Sequence, residues 1–277
     1  TVWKNGVATA LTDGKDHAYA KSVYVSGNDV YVAGFSLIWA ISDAFVGKNG
    51  LIKALTDRIN TAYAHSIYVS DSDVYVAGVT GREGRATVWK NGVATALTNG
   101  KNSATANSVF VSGKDVYVAG NEFNGNKDVA TVWKNGVAMA LPNGAAAHSV
   151  YVSGSDVYVA GNDMDVVMVW KNGVATALTD GKNNAIANAV FVSGSDVYVA
   201  GRASNGSKSV ATVWKNGVAT ALTTNPSRAN SVFVSGDDVY VSGIESNGSN
   251  SVATVWKNGV ATALTTNPSS AYSVFVK

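Results

Sequence analysis

The tripeptide Lys-Asn-Gly returns seven times in this chain and divides it into copies of one unit. A sequence that repeats at a period of about 20–50 residues folds as stacked copies of one supersecondary unit. Because the copies run from end to end, we predict a single domain over residues 1–277. The copies are separated by 44, 42, 44, 37, 44 and 42 residues and begin at Lys4, Lys48, Lys90, Lys134, Lys171, Lys215 and Lys257.

Each copy contains two hairpin signals. In SVFVSGKDVYVAG, residues 108–120, alternating apolar residues flank a turn, and we name the two strands A and B. In TVWKNGVATAL, residues 87–97, two β-prone runs flank Asn-Gly, and we name these strands C and D. Asn-Gly tolerates the positive φ angles of a type I′ turn, which indicates a tight hairpin. No stretch has sustained apolar spacing at the helical period, so we predict an all-β chain.

Four short antiparallel strands in a unit of about 42 residues are typical of a β-propeller blade. Strands such as Val23-Tyr24-Val25 are apolar on both faces, as expected for sheets that lie between neighbouring blades. We therefore predict a seven-bladed β-propeller of four-stranded antiparallel blades. The alternative fold is a β-sandwich, which exposes one face of each sheet to water.

The order of the phrases SVYV, VYVAG, TVWK and VATAL resembles the blades of kelch and NHL-type propellers. The wording YVAG…ATVWKNGVATALT is similar to that of uncharacterised secreted bacterial repeat proteins. The resemblance implies that strand A is innermost and strand D is outermost.

Counting the strands in this order shows that one copy is incomplete. Strand A occurs seven times, the last time at residues 273–276, whereas strand B occurs six times. Residues 1–11 supply only strands C and D. We therefore expect a last blade that is shared by both termini and lacks one strand. We also expect either a natural chain that continues past Lys277 with an SGxDVYVAG-like segment, or another chain that fills the gap.

The composition argues against several classes of function. The net charge is +2 and charged residues make up 14% of the chain, so no nucleic-acid partner is expected. Cysteine is absent, which excludes thiolate chemistry, and no apolar run approaches the ~20 residues of a membrane-spanning helix. Abundant Asn, Ser, Thr and Gly with little Glu predict a secreted or cell-surface protein. The oligomeric state is left open.

Repeated residues indicate structure here, and variable residues indicate function. The Lys-Asn-Gly turns, the Asp of each A–B turn and the recurring Trp of strand C fit turn geometry and packing between blades. Every Arg, Glu and His lies in or beside the B–C and D–A loops, which share one face of a propeller. We expect a local function on this loop face.

The first candidate site is a ring of variable residues, each of which follows an unchanging Ala at the start of strand A. At the mouth of a central channel, this polar ring is suited to hold a small ligand or a loop of a partner. Its members are Lys21, His65, Asn107, His148, Asn188, Asn230 and Tyr272.

The second candidate site is the B–C segment FSLIWAISDAFVG, in which Gly47 replaces the usual Trp. Either Trp39 folds back into the space left by Gly47, or the segment is an exposed apolar loop that docks a partner. Its apolar residues are Phe35, Leu37, Ile38, Trp39 and Ile41.

No pattern predicts catalysis. The three His residues have no metal-ligand spacing and no Ser-His-Asp set stands out, so we predict no catalytic residue, no metal site and no cofactor. The favoured function is a non-enzymatic binding or scaffold propeller that presents its loop face to a protein or glycan partner, or to a small ligand. The alternatives are a carbohydrate-binding lectin and a lyase or hydrolase with one funnel site, for which Lys21, His65 and His148 are the only hint.

Overall fold

The computed structural model of the protein describes residues 1–38, 41–57 and 59–277. Every regular element in these ranges is a β-strand, as the sequence predicts, and they contain no helix of the length and hydropathy that crossing a membrane requires. The chain forms two compact units, Thr1–Ala140 and Leu141–Lys277. The single domain over residues 1–277 stays a prediction.

The first unit contains one two-stranded and three four-stranded antiparallel sheets. The two-stranded sheet pairs β1 (Val2–Lys4) with β2 (Val7–Thr9). Blade 1 contains β3 (His17–Ser26), β4 (Asp29–Ile38), β5 (Ile41–Lys48) and β6 (Leu51–Ala54). Blade 2 contains β7 (Ala62–Ser70), β8 (Asp73–Thr80), β9 (Arg85–Lys90) and β10 (Val93–Ala96). Blade 3 contains β11 (Ala104–Ser112), β12 (Asp115–Phe123), β13 (Asp128–Lys134) and β14 (Val137–Ala140).

The second unit contains three more four-stranded antiparallel sheets. Blade 4 contains β15 (Ala146–Ser153), β16 (Asp156–Asp163), β17 (Val166–Lys171) and β18 (Val174–Ala177). Blade 5 contains β19 (Ala185–Ser193), β20 (Asp196–Ser204), β21 (Ser209–Lys215) and β22 (Val218–Ala221). Blade 6 contains β23 (Ser227–Ser235), β24 (Asp238–Ser246), β25 (Ser251–Lys257) and β26 (Val260–Ala263).

The fold is a β-propeller of four-stranded antiparallel blades, and the prediction of seven blades is wrong. Six complete blades are present in the described residues. The seventh copy of the repeat, for which residues 1–277 hold no strand B sequence, does not form a four-stranded blade here. Its strands C and D remain the two-stranded sheet β1–β2, and its strand A sequence, residues 273–276, is not paired as a strand.

An Asp-Lys-Asn network links the two turns of every blade and confirms that these repeated residues are structural. In blade 2, Lys90 Nζ lies 2.7 Å from Asp73 Oδ2 and 5.3 Å from the centre of the Tyr75 ring. Asn91 Nδ2 donates to Asp73 Oδ1 (2.8 Å), and Asn91 Oδ1 accepts a hydrogen bond from the backbone N–H of Val74 (2.9 Å). The bonds from Lys90 and Asn91 lower the pKa of the Asp73 carboxyl, and the bond to Asp73 raises the pKa of Lys90. Asn91 and Gly92 have φ values of +53° and +85°, as the type I′ turn requires.

Where two neighbouring blades belong to the same unit, a strand C tryptophan is wedged between them, as the sequence predicts. Trp133 of blade 3 is fully buried and belongs to a core cluster with Tyr75, Ala77 and Val88 of blade 2. Five of these side chains are at most 1% exposed: Trp89, Trp133, Trp170, Trp214 and Trp256.

Blade 1 replaces the tryptophan by a different residue of the same strand. Phe45 stands two positions before Gly47, and residues two apart in a strand point to the same face. The Cζ atom of Phe45 lies 2.8 Å from the place of a Cβ added to Gly34, much as Cζ3 of Trp133 lies 3.0 Å from the same place at Gly120. Phe45 is 4% exposed and therefore fills the space that Gly47 leaves. Trp39, the residue expected there, lies outside the described residues.

This exchange predicts strong coupling between positions 45 and 47. F45T should leave a cavity and G47W should overpack the core, each costing about 2 kcal/mol or more of unfolding free energy. The double variant F45T/G47W restores the Thr-Val-Trp sequence of blades 2, 3, 5 and 6 and should recover most of that loss, which urea denaturation of the three variants measures. Additive losses in the double variant would contradict the assignment.

Candidate functional site

The residues of the predicted ring all occupy one unusual backbone position. In each of the six blades, the pairing of strand A with strand B shifts by one residue immediately after the unchanging Ala. In blade 3, Ala106 pairs with Gly120 and Ser108 pairs with Ala119, so that Asn107 is left out of the ladder. Such a β-bulge re-aims a side chain. Lys21, His65, Asn107, His148, Asn188 and Asn230 are the bulge residues.

Several bulge side chains bind the backbone of the following repeat. The ring of His65 donates from Nδ1 to the carbonyl oxygen of Ala106 (3.1 Å). Asn188 and Asn230 make the equivalent bond through Nδ2, to Ala229 (2.7 Å) and to Ala271 (2.8 Å). These polar groups join one repeat to the next, so they are only partly available to a ligand.

The other members of the ring are also engaged. His148 donates from Nε2 to Oδ1 of Asn162 within blade 4 (2.8 Å). Lys21, Asn107 and Tyr272 are not free either. Lys21, His65 and Asn107 belong to the first unit and the remaining four residues to the second. Ligand binding by the ring stays a prediction.

Both bulge histidines are held in the neutral form. Burial lowers the pKa of His65, the charge of Lys21 lowers it further, and the hydrogen bond to Ala106 opposes the change. Burial likewise lowers the pKa of His148, against the hydrogen bond to Asn162.

The two lowered pKa values predict that the protein loses stability as the solution is acidified. In the unfolded chain each ring binds a proton as the pH falls through its ordinary value of 6.5, whereas the folded rings resist protonation. Below that pH the unfolded state therefore binds more protons, and each ring lowers the stability by up to about 1.4 kcal/mol per pH unit. Urea denaturation between about pH 7.5 and about pH 5, an interval that contains the ordinary histidine pKa of 6.5, measures the effect against the variant H65N.

Asn is the matched replacement because Asn188 and Asn230 make the same bond to the next repeat. H65N should keep the stability of the wild type near neutral pH and lose less of it in acid. If the wild type and H65N lost the same unfolding free energy on acidification, this assignment would be contradicted.

An aromatic patch on blades 1 and 2 brings residues of both candidate sites together. The rings of Tyr19 and Phe35 are stacked, with their centroids 5.1 Å apart. Phe35 meets Tyr63 of the next blade edge-on at 4.9 Å, and the Tyr63 ring is stacked with that of His65 at 6.3 Å. Tyr19 is 37% exposed, and Lys21 is close enough to act on His65 electrostatically. We call Tyr19, Phe35, Tyr63 and His65 the aromatic patch.

The segment of the second candidate site forms a long hairpin, and its docking of a partner stays a prediction. Strands β4 and β5 stay paired as far as Ile38 and Ile41, and Leu37 pairs with Ser42. The segment forms strands because its apolar residues are β-prone and the four pairs beyond Gly34 extend the ladder. Leu37 and Ile41 are half-buried, while Trp39 and the side chain of Ile38 lie outside the described residues.

Two rows of aromatic rings were not singled out in the sequence. The third residue of each SVYV-like strand is Tyr or Phe, and this regularity is the signal that could have found them. Neighbouring rings in a row have centroids 4.7–4.9 Å apart. The row of the first unit is Tyr24, Tyr68 and Phe110, and the row of the second is Tyr151, Phe191, Phe233 and Phe275. Their even repetition indicates packing between repeats.

An open cleft of about 450 Å³ also lies between blades 1 and 2. Its lining includes Thr56, Asp57, Asn60 and Trp89. The volume is within the usual range for a ligand pocket. In the part of the chain that the structure describes, no three His, Asp or Glu residues are grouped as metal ligands.

Comparison with known proteins relates this chain to others by fold. No protein-family profile and no curated protein matches the sequence. Among solved structures, a puromycin-hydrolysing peptidase of Mycobacterium tuberculosis matches 89% of this chain at a TM-score of 0.60 and 10% identity. An acylaminoacyl peptidase of Pyrococcus horikoshii matches 89% at 0.54 and 12% identity, and TolB from Acinetobacter baumannii matches 83% at 0.52 and 11% identity.

What these proteins share with this chain is the fold. The match covers 46% of each peptidase and 61% of TolB, so this chain spans less than two thirds of their lengths. At these identities the likeness carries no information on activity. The resemblance to kelch and NHL-type propellers is not confirmed by a family match.

Proposed function

We propose that this protein is a non-enzymatic binding propeller that is secreted or attached to the cell surface, and that it contacts a protein partner through the aromatic patch. The observation that carries this proposal is the placement of Tyr19, Phe35 and Tyr63 in one contiguous cluster. Elsewhere the same repeat positions hold unrelated side chains.

The local chemistry of the patch favours a macromolecular partner. Aromatic side chains offer a large contact area at a low cost in conformational entropy, and Tyr is enriched among the residues that dominate binding energy. The Tyr hydroxyls and the charge of Lys21 add polar groups at the margin of the patch. The exposed apolar side chains of the outermost strands, such as Val93 and Val137, are instead repeated from blade to blade.

The two bulge histidines favour binding over catalysis. His65 and His148 each use a ring N–H on a fixed protein partner, and burial keeps both neutral. A general acid–base residue needs a pKa near the working pH and access to the substrate.

Blade 3 supplies a replacement for each residue of the patch that we would change. Tyr19 and Tyr63 correspond to Thr105, and Phe35 corresponds to Asn121, because each pair stands at the same distance from the unchanging Ala or Gly. Y19T/F35N/Y63T therefore gives blades 1 and 2 side chains that this backbone already carries in blade 3.

A selection from a random peptide library on the folded protein tests the proposal. Selected peptides should lose at least about tenfold in affinity for Y19T/F35N/Y63T, since a Tyr at the centre of an interface is often worth more than the free energy of a tenfold change. The matched control V93S/V137S removes two exposed apolar side chains from the outermost strands and should bind the peptides like the wild type. Peptides that bind all three proteins equally would contradict the proposal.

Two further assays address the alternatives. A lectin with repeated shallow sites should bind a glycan array with several nearly equal, weak sites, and Y19T/F35N/Y63T should remove at most one of them.

A lyase or hydrolase should turn over a model substrate and lose that activity in H65N or in the matched variant H148N. Either result would replace the binding proposal.

A further inference from the structure

Strand β1 has an edge that no other strand covers in residues 1–38, 41–57 and 59–277. In the six complete blades, strand C pairs with strand D on one side and with strand B on the other. β1 carries the strand C sequence Val-Trp-Lys but pairs only with β2. Its other edge is a row of unpaired backbone donors and acceptors, which another strand can join.

The turn of this hairpin lacks the Asp carboxylate that binds the Lys and the Asn of the same turn in the complete blades. In each complete blade the Lys and the Asn of Lys-Asn-Gly bind an Asp that begins strand B, as Lys90 and Asn91 bind Asp73. Lys4 and Asn5 have no such partner among the residues that the structure describes. Asn5 nevertheless has a φ of +51°, close to the +53° of Asn91, so the turn already has the shape that receives the carboxylate.

Trp3 is incompletely covered. It is half-buried, whereas the strand C tryptophans of blades 2 to 6 are at most 1% exposed. In blade 2, strand B places Val76 directly opposite Trp89. In the complete blades strand B supplies the backbone pairing, the Asp carboxylate at the turn and the residue opposite the tryptophan. The β1–β2 hairpin lacks all three.

We propose that the edge of β1 binds an extended peptide segment with the strand B sequence Ser-Gly-x-Asp-Val-Tyr-Val-Ala-Gly. The segment pairs in the antiparallel register of blade 2, where Tyr75 pairs with Lys90, Val76 with Trp89 and Ala77 with Val88. Its Tyr then pairs with Lys4, its second Val with Trp3 and its Ala with Val2. Its Asp binds Lys4 and Asn5.

The test uses the full chain and the labelled peptide SGSDVYVAGN, which is residues 153–162 of this protein. Fluorescence anisotropy should show saturable binding to the wild type. K4E should weaken binding at least about tenfold, because it replaces an attraction by a repulsion. The charge-reversed peptide SGSKVYVAGN should bind K4E better than it binds the wild type, and hydrogen exchange should show new protection in residues 1–10.

The matched control is K90E, which changes the equivalent Lys of a complete blade and should bind SGSDVYVAGN like the wild type. K4A, which removes the attraction without adding repulsion, serves as the second variant if K4E does not fold. Absence of saturable binding, equal binding of both peptides by the wild type and K4E, or equal losses in K4E and K90E would overturn the proposal. A dimer that forms without peptide and dissociates in K4E would assign the edge to a second copy of the chain and would also overturn it.

Discussion

G120A is expected to lower the free energy of unfolding by about 4 kcal/mol or more, one of the two largest effects that the structure predicts. A Cβ at Gly120 would overlap the carbonyl oxygen of Thr105 on the paired strand, and it would also lie 3.0 Å from Cζ3 of Trp133. The obstacle is backbone and not the end of a flexible side chain, so the bulge of blade 3 would have to move. The same overlap exists at the equivalent glycine of every other blade.

A glycine in the turn of the same hairpin is the control. Gly113 has a φ of +59°, but a Cβ there would meet nothing within 4 Å. G113A should therefore cost only the strain of a left-handed residue, about 1–2 kcal/mol. Urea denaturation of both variants measures the difference. Equal stability of G120A and G113A would contradict the close approach of the two strands.

W133A should destabilise the protein by about 3–5 kcal/mol, because it empties a site between two blades. Trp133 is fully buried against blade 2, and its Nε1 has no hydrogen-bond partner among the described residues. The loss is therefore one of packing, and W133F should cost clearly less than W133A.

W3A is the matched control for W133A. Trp3 holds the same repeat position in β1 but is only half-buried, so its truncation should cost less. Thermal or urea denaturation gives both values. A loss for W3A as large as that for W133A would show that exposure does not distinguish the two positions.

Most of the fold follows from local sequence. The alternation in SVYV and VYVAG and the Asn-Gly turns predict the strands and hairpins, and the recurrence of Trp and Lys-Asn-Gly predicts their packing. The number of blades is the exception, although the sequence shows that strand B occurs only six times. Hairpin β1–β2 and residues 273–276 have blade-like sequences, but a sheet also needs the strand that joins them.

The candidate site was less predictable because it depends on contacts between different blades. The ring residues were found from their variability, but the bulge that turns His65 and Asn188 toward the next repeat is a backbone feature. The contact of Phe35 with Tyr63 joins two copies of the repeat and has no local signal. The replacement of Trp by Phe45 does have a signal in the sequence. Phe45 stands where blade 2 has Thr87, two positions before Gly47, and residues two apart in a strand share a face.

Hydroxyl-radical footprinting of the protein with a selected peptide ligand tests the central claim most directly, namely that the repeated blades are scaffold and that the aromatic patch is the binding surface. The ligand should reduce oxidation of Tyr19, Phe35 and Tyr63 and leave the exposed valines of the outermost strands, such as Val93 and Val137, unchanged. Protection that falls on the outermost strands while the patch stays as reactive as in the free protein would contradict the claim.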